Sequence, residues 1–177
     1  MVWDGGRALK EYLIIDGYNV INGWPMLRDL AIESFEESRR QLIEMMVEYQ
    51  SFKGIHVIIV FDAHLVKGSI EKKDMIKGVK IVFTKESQTA DSYIEKLILQ
   101  LSKKHRVTVV TNDWAEQQMV LGGGAIRMTI REFIIDFNGA KSSISKKTEK
   151  LQEQREALSN RIDPIVLEKL EKLRRKS

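Results

Sequence analysis

A chain of 177 residues with 43% apolar and 31% charged residues is long enough to bury one sizeable core and polar enough to fold in water. No run approaches the ~18 consecutive apolar residues of a membrane-spanning helix, and the opening MVWDGGRALKEY lacks an apolar export signal, so no membrane role and a cytoplasmic location are expected. The absence of cysteine excludes disulfides and thiolate metal sites. The net charge of +4 is uneven: residues 1–140 hold 18 Lys+Arg against 19 Asp+Glu, and residues 141–177 hold 11 against 6. Such a tail suits phosphate-rich partners, and equally suits a solvated helix of mixed charge.

In chain order, residues 1–11 read as an extension, and EYLIID, ending at Asp16, reads as a short buried strand. Leu42, Ile43, Met46 and Val47 fall on a helical period over about 34–52, and Gly54 stops that helix. IHVIIVFD at 55–62 is a continuous β-branched run of strand length, buried on both faces. Residues 63–77, AHLVKGSIEKKDMIK, are predicted to be a basic irregular connection carrying Lys67, Lys72, Lys73 and Lys77. GVKIVFT at 78–84 and RVTVVTND at 106–113 repeat the strand signal, each followed by a helical stretch, TADSYIEKLILQLSKK and WAEQQMVL. The triple glycine at 122–124 stops the second of these helices. AIRMT adds a short fifth strand before the helix REFIIDF, and residues 139–177 form a basic helical tail broken near Asp163 and Pro164, bearing Lys146 and Lys147.

Strands alternating with helices give an α/β fold around a mainly parallel sheet, whose right-handed crossovers bring the carboxyl ends of the strands to one edge. In such sheets that edge binds ligands, and the basic connection is expected to hang over it. The strand exits deliver Asp16 and Asn19, then Asp62, then Asp91 through KESQTAD, then Asp113. Two carboxylates ~4 Å apart repel by roughly 4 kcal/mol at an effective dielectric of 20, so gathering several calls for a cation. Oxygen donors without Cys or clustered His suit Mg²⁺ or Mn²⁺, and a carboxylate-held Mg²⁺ suits phosphodiester cleavage.

Each acid also has a structural reading. Asp16-Gly17 opens a turn with Gly17 at positive φ; Asp91 follows the N-cap candidate Thr89; Asp113 and Glu116 have capping-box spacing. Repetition at one edge tips the balance, because Ser or Thr would cap without electrostatic cost. Glu86 and Glu95 are candidate outer ligands, and His64 a candidate substrate contact or a plain loop histidine. Trp24 and Trp114 flank the edge, where buried packing is favoured over stacking on bases.

Taken together, IIDGYNVI, VIIVFDAHLVKG, IVFTKESQTADSYIEKL and VTVVTNDWAEQ resemble the NYN-domain family related to PIN-domain nucleases, and more closely its YacP-like branch, over about residues 12–137. The resemblance implies a PIN-like three-layer α/β/α sandwich at 12–138 and a metal-dependent endoribonuclease cutting single-stranded RNA, specifically mRNA on the ribosome. It implies Asp16, Asp91 and Asp113 as catalytic metal ligands, with Asn19 and Asp62 supporting them. Trp114 stands where many NYN proteins carry a second acid. The lysines named above are the candidate RNA contacts. The alternative is an RNA- or ribosome-binding regulator on the same fold with little catalysis. A phosphatase would carry an acid two positions after the first aspartate, and Tyr18 stands there.

Overall fold

The computed structural model describes residues 3–4, 7–63, 70–161 and 164–174. The chain divides into two compact units, Met1–Asn138 and Gly139–Ser177. The first opens with two short strands, β1 (Trp3–Asp4) and β2 (Arg7–Ala8), paired antiparallel with each other. Its main sheet comprises β3 (Glu11–Asp16), β4 (His56–Phe61), β5 (Lys72–Ile76), β6 (Val79–Phe83), β7 (Arg106–Val110) and β8 (Ile126–Met128). The six strands lie in the order β5-β6-β4-β3-β7-β8, and all pairings are parallel except β5 with β6.

The two faces of the sheet separate by the alternation of side chains along each strand. Ile14, Ile58, Val60, Val82 and Val109 pack on one face against Tyr93, Ile94 and Ile98 of α4 (Ala90–Leu101) and Val120 of α5 (Trp114–Gly122). Leu13, Ile15, Ile59, Phe61 and Ile81 are buried on the other face. That side is covered by α1 (Gly17–Gly23), α2 (Pro25–Glu33), α3 (Phe35–Lys53) and the start of α6 (Ile130–Arg161). There Trp24 meets Phe133 and Phe137 edge-on at 5.9 and 5.2 Å, and Tyr49 meets Phe133 at 5.4 Å. The result is the expected three-layer α/β/α arrangement. Each fully buried Ile, Leu or Phe contributes about 1.5–3 kcal/mol, so the layers hold the strand exits in fixed register.

Local chemistry sets the boundaries. Ser34 caps α3 by accepting the Glu37 N–H at 3.1 Å, Glu36 and Glu37 complement its amino end and Lys53 its carboxyl end. Gly54 ends it at φ 68°, the left-handed conformation glycine adopts without steric cost. In the second unit the described residues are helical, and α7 (Pro164–Arg174) begins on the first-turn proline. Asp163 lies outside the described residues.

Two expectations change. Lys72–Ile76, placed within an irregular loop, forms the antiparallel edge strand β5, because Lys77 at φ 46° and Gly78 at φ 90° make the tight reversal a hairpin needs. α1 and α2 occupy 17–33, where no helix was expected; α1 is short, and neither element shows a long apolar period.

Candidate metal centre

Parallel register carries the ends of β3, β4, β6 and β7 to one edge, since Asp16 pairs with Val60, Ile15 with Val110, and Phe61 with Phe83. α1 starts directly where β3 stops, and Asp16 caps it by accepting the Asn19 N–H at 3.4 Å. A Cβ on Gly17 would fall 2.3 Å from the Phe61 ring, so this position is held to glycine by close approach. Gly17 is not among the glycines of positive φ, so the left-handed turn reading does not apply to it.

At the end of β4, Asp62 Oδ2 accepts the Ala90 N–H at 3.3 Å and so joins that exit to the first turn of α4. Thr84, fully buried, accepts the Ala63 N–H at 3.1 Å and ties the exits of β4 and β6. Thr89 caps α4 through the Ser92 N–H at 3.2 Å, leaving Asp91 in the first turn facing the edge. At the β7 exit, Asn19 Oδ1 accepts the Asn112 N–H at 2.8 Å, and Asn112 Oδ1 accepts the Ile130 N–H at 3.0 Å. Asn19 and Asn112 thus stitch α1, the β7 exit and α6 together.

Asp113 caps α5, accepting the Glu116 N–H at 3.0 Å, and Glu116 does not complete the reciprocal half of a capping box. Its carboxylate instead turns inward: Glu116 is 2% exposed, and neither oxygen has a hydrogen-bond partner among the described residues. One oxygen each from Asp16, Asp91 and Glu116 lie within 4.8 Å of one another. Asp113 is outside this trio, and its negative charge acts on Asp91 from beside it.

The cluster is electrostatically strained. Burial, with the charges of Asp91 and Asp62, pushes the Asp16 carboxyl up to about 6 despite the opposing Asn19 N–H. Burial raises Glu116 to about 8, reinforced by the negative charges of Asp16 and Asp91. Asp91 is raised by desolvation and by Asp113 and Asp62. A buried carboxylate without partners costs several kcal/mol unless it is neutralised or bound by a cation. An all-oxygen donor set with two orphaned, buried oxygens fits a hard divalent ion.

Sequence reasoning placed Asp16, Asn19, Asp62, Asp91 and Asp113 at this edge, and all five are there. It read Glu116 only as a capping partner; the available signal was an acid in the first turn of α5, as Asp91 is in α4. Glu86 and Glu95 are exposed. Lys72 and Lys73 lie on β5, where Lys73 pairs with Glu71 at 2.6 Å and sits 5.8 Å over the Tyr93 ring. Lys77 is exposed at the β5–β6 turn, and Lys146 and Lys147 are exposed on α6; Lys67 and His64 lie outside the described residues. Trp24 packs in the core at 6% exposure, whereas Trp114 is 73% exposed, which reverses the expectation of burial for the second tryptophan. Among the described residues no helix is long and apolar enough to cross a membrane.

Comparison with known proteins agrees with this geometry. The model of the YacP-like NYN domain matches residues 13–175, so the match extends through the tail and beyond the 12–137 expected. The chain is 43% identical over 166 residues to the uncharacterized protein YacP of Bacillus subtilis (strain 168), covering 93% of this chain and 97% of that one. It superposes on the crystal structure of Rae1 (YacP) from Bacillus subtilis with a TM-score of 0.70 at 42% identity, covering 93% and 94% of the two chains. A Trp-to-Leu variant of the same protein gives 0.68 at 40% identity, covering 80% and 82%. With a sheet, two helical layers and an acidic edge of this form, the chain belongs to the YacP-like NYN domain family, whose fold is of nuclease type.

Proposed function

We propose that the chain is a metal-dependent endoribonuclease that cleaves single-stranded RNA, with mRNA engaged on the ribosome as its cellular substrate. The observation that carries this reading is the trio Asp16, Asp91 and Glu116 within 4.8 Å, with both Glu116 oxygens buried and unpartnered. The three carboxylates would hold Mg²⁺ or Mn²⁺. Such an ion supplies a lowered pKa for attacking water and positive charge for the phosphate oxygens.

The chain's own groups then have distinct tasks. Asp16 is fixed by its cap to α1 and presents its carboxylate at a set angle. Asp62 braces the amino end of α4, which carries Asp91, and Asn19 braces the β7 exit, which carries Asp113 and Glu116. Asp113, beside Asp91, adds negative charge that strengthens cation binding. Exposed lysines on β5 and on α6 offer phosphate contacts.

The test is incubation of the full chain with end-labelled single-stranded RNA under EDTA, Mg²⁺ or Mn²⁺, with and without translating ribosomes. Internal cleavage is expected only with a divalent ion, and Asp16→Asn and Asp91→Asn are expected to abolish it while the circular dichroism spectrum is kept. Equal cleavage in EDTA, or full activity in both variants, would overturn the reading. Binding of RNA without cleavage under any condition would favour the regulator reading instead.

A further inference from the structure

Trp114 is the first residue of α5, directly after the cap Asp113 and in the same helical turn as Glu116. The two side chains diverge: Glu116 is buried toward Asp16 and Asp91, and the indole stands in solvent. Trp114 is 73% exposed, and among the described residues no ring stacks on it. The exposed residues next to it in the chain are Asn112, Asp113, Ala115 and Gln118, and Leu121, 50% exposed, follows at i+7 on the same face of α5. A stable protein interface needs a contiguous surface of about 1,000 Å² or more, and one indole with a single half-exposed leucine on its helix face does not provide one.

The rim is also acidic. Beside the phosphate that a cation at the cluster would hold, Asp62 and Asp113 repel the flanking phosphates, so the neighbouring nucleotides on this side must be gripped by something other than their backbone. The face of a nucleobase is neutral and planar, and an exposed indole is the best stacking surface a protein has for it. We propose that Trp114 is the stacking platform for one nucleobase of the RNA, the base next to the phosphate held at the Asp16, Asp91 and Glu116 cluster. This role rests on the nuclease reading of that cluster. It makes Trp114 a positioning residue that selects unpaired RNA, because a base within a duplex has no free face to offer.

The test compares the full-length chain with Trp114→Phe and Trp114→Ala, measuring anisotropy of labelled single-stranded RNA with Ca²⁺ present and the RNA verified intact by gel. Stacking on an aromatic residue contributes about 5- to 150-fold in affinity per base, so Trp114→Ala is expected to bind about tenfold more weakly, with Trp114→Phe near wild type. A scan of single abasic positions should find one site that reproduces the loss in the wild type and costs Trp114→Ala nothing more. Equal binding by all three proteins, or abasic and alanine losses that simply add, overturns the stacking role and leaves the nuclease reading standing. Failure of the wild type to bind RNA at all removes both. A self-association of the wild type that Trp114→Ala abolishes, with RNA affinity unchanged, assigns the indole to a protein contact and overturns the proposal.

Discussion

The side-chain oxygen of Asn19 accepts the backbone N–H of Asn112 at 2.8 Å and also faces the Thr111 hydroxyl at 3.4 Å, joining residues 93 positions apart. This bond fixes the β7 exit against α1, and the same exit delivers Asp113 and Glu116. Replacing Asn19 by Ala removes this bond, and because the Asn112 N–H is exposed and can turn to water the cost is about 0.5–1.5 kcal/mol. Asn19→Ala is therefore expected to lower the urea midpoint and to reduce RNA cleavage more than its stability loss explains. A variant with wild-type activity and midpoint would show that the bond positions nothing.

Glu116 predicts two effects of opposite sign. A buried, unpartnered carboxylate destabilises the metal-free fold when ionised, and Gln of the same shape removes that charge. Glu116→Gln should thus raise the metal-free melting temperature at pH 9. Cleavage in Mg²⁺ should fall by roughly two orders of magnitude, as loss of one electrostatic contributor at a reacting phosphate does. Calorimetry and a cleavage assay on one preparation read both. A stabilised variant that still cuts normally would place the metal elsewhere.

Much of this site was legible because a parallel sheet converts sequence order into spatial convergence. An apolar β-branched run ending in Asp is visible in the sequence, and the topology alone then gathers Asp16, Asp62, Asp91 and Asp113 on one edge. Glu116 was hidden because a helix's first turn has two uses for an acid, capping and ligation, which share a spacing and differ only in where the side chain turns. β5 was hidden because all five of its residues are exposed, so it lacks the apolar alternation that marks a strand. Trp114 misled because an indole's size argues for burial on average, while its own position at N1 of α5 points it away from the core.

Gly17 offers a purely steric test. Its missing Cβ is where the Phe61 ring lies, 2.3 Å from the ideal position, and the ring is itself fully buried and stacked on Phe83 at 5.3 Å. Gly17→Ala must displace the ring or α1, an overpacking that costs about 1–3 kcal/mol. Since α1 is capped by Asp16, the displacement also moves a proposed ligand. The double variant Gly17→Ala with Phe61→Leu, which opens space beside the new methyl, should recover part of the lost stability in urea titration. If Gly17→Ala alone is neutral, the close approach is not what holds this position to glycine.

The raised carboxyls fix how stability depends on pH. In the unfolded chain Asp16 and Glu116 titrate at their ordinary values, 3.8 and 4.5, and in the fold at about 6 and about 8. Between those limits the folded chain keeps protons that the unfolded chain has lost, so metal-free stability falls as pH rises from about 4 to about 8. Below that window the protonated pair carries no penalty, and above it the loss is complete and constant. For Asp16 alone, with roughly two units of displacement, the loss approaches ~3 kcal/mol. A divalent ion binds the ionised form, so its binding releases protons, tightens over the same window and stabilises the fold most at the alkaline end. Melting in EDTA should therefore occur at a higher temperature at pH 5 than at pH 8.5, and millimolar Mn²⁺ should narrow or invert that difference. Titration of Mn²⁺ at pH 7 in two buffers of different ionisation enthalpy should reveal proton release. Melting temperatures that rise from pH 5 to 8.5 in EDTA, or metal binding that releases no protons, would mean these carboxyls do not share a buried site.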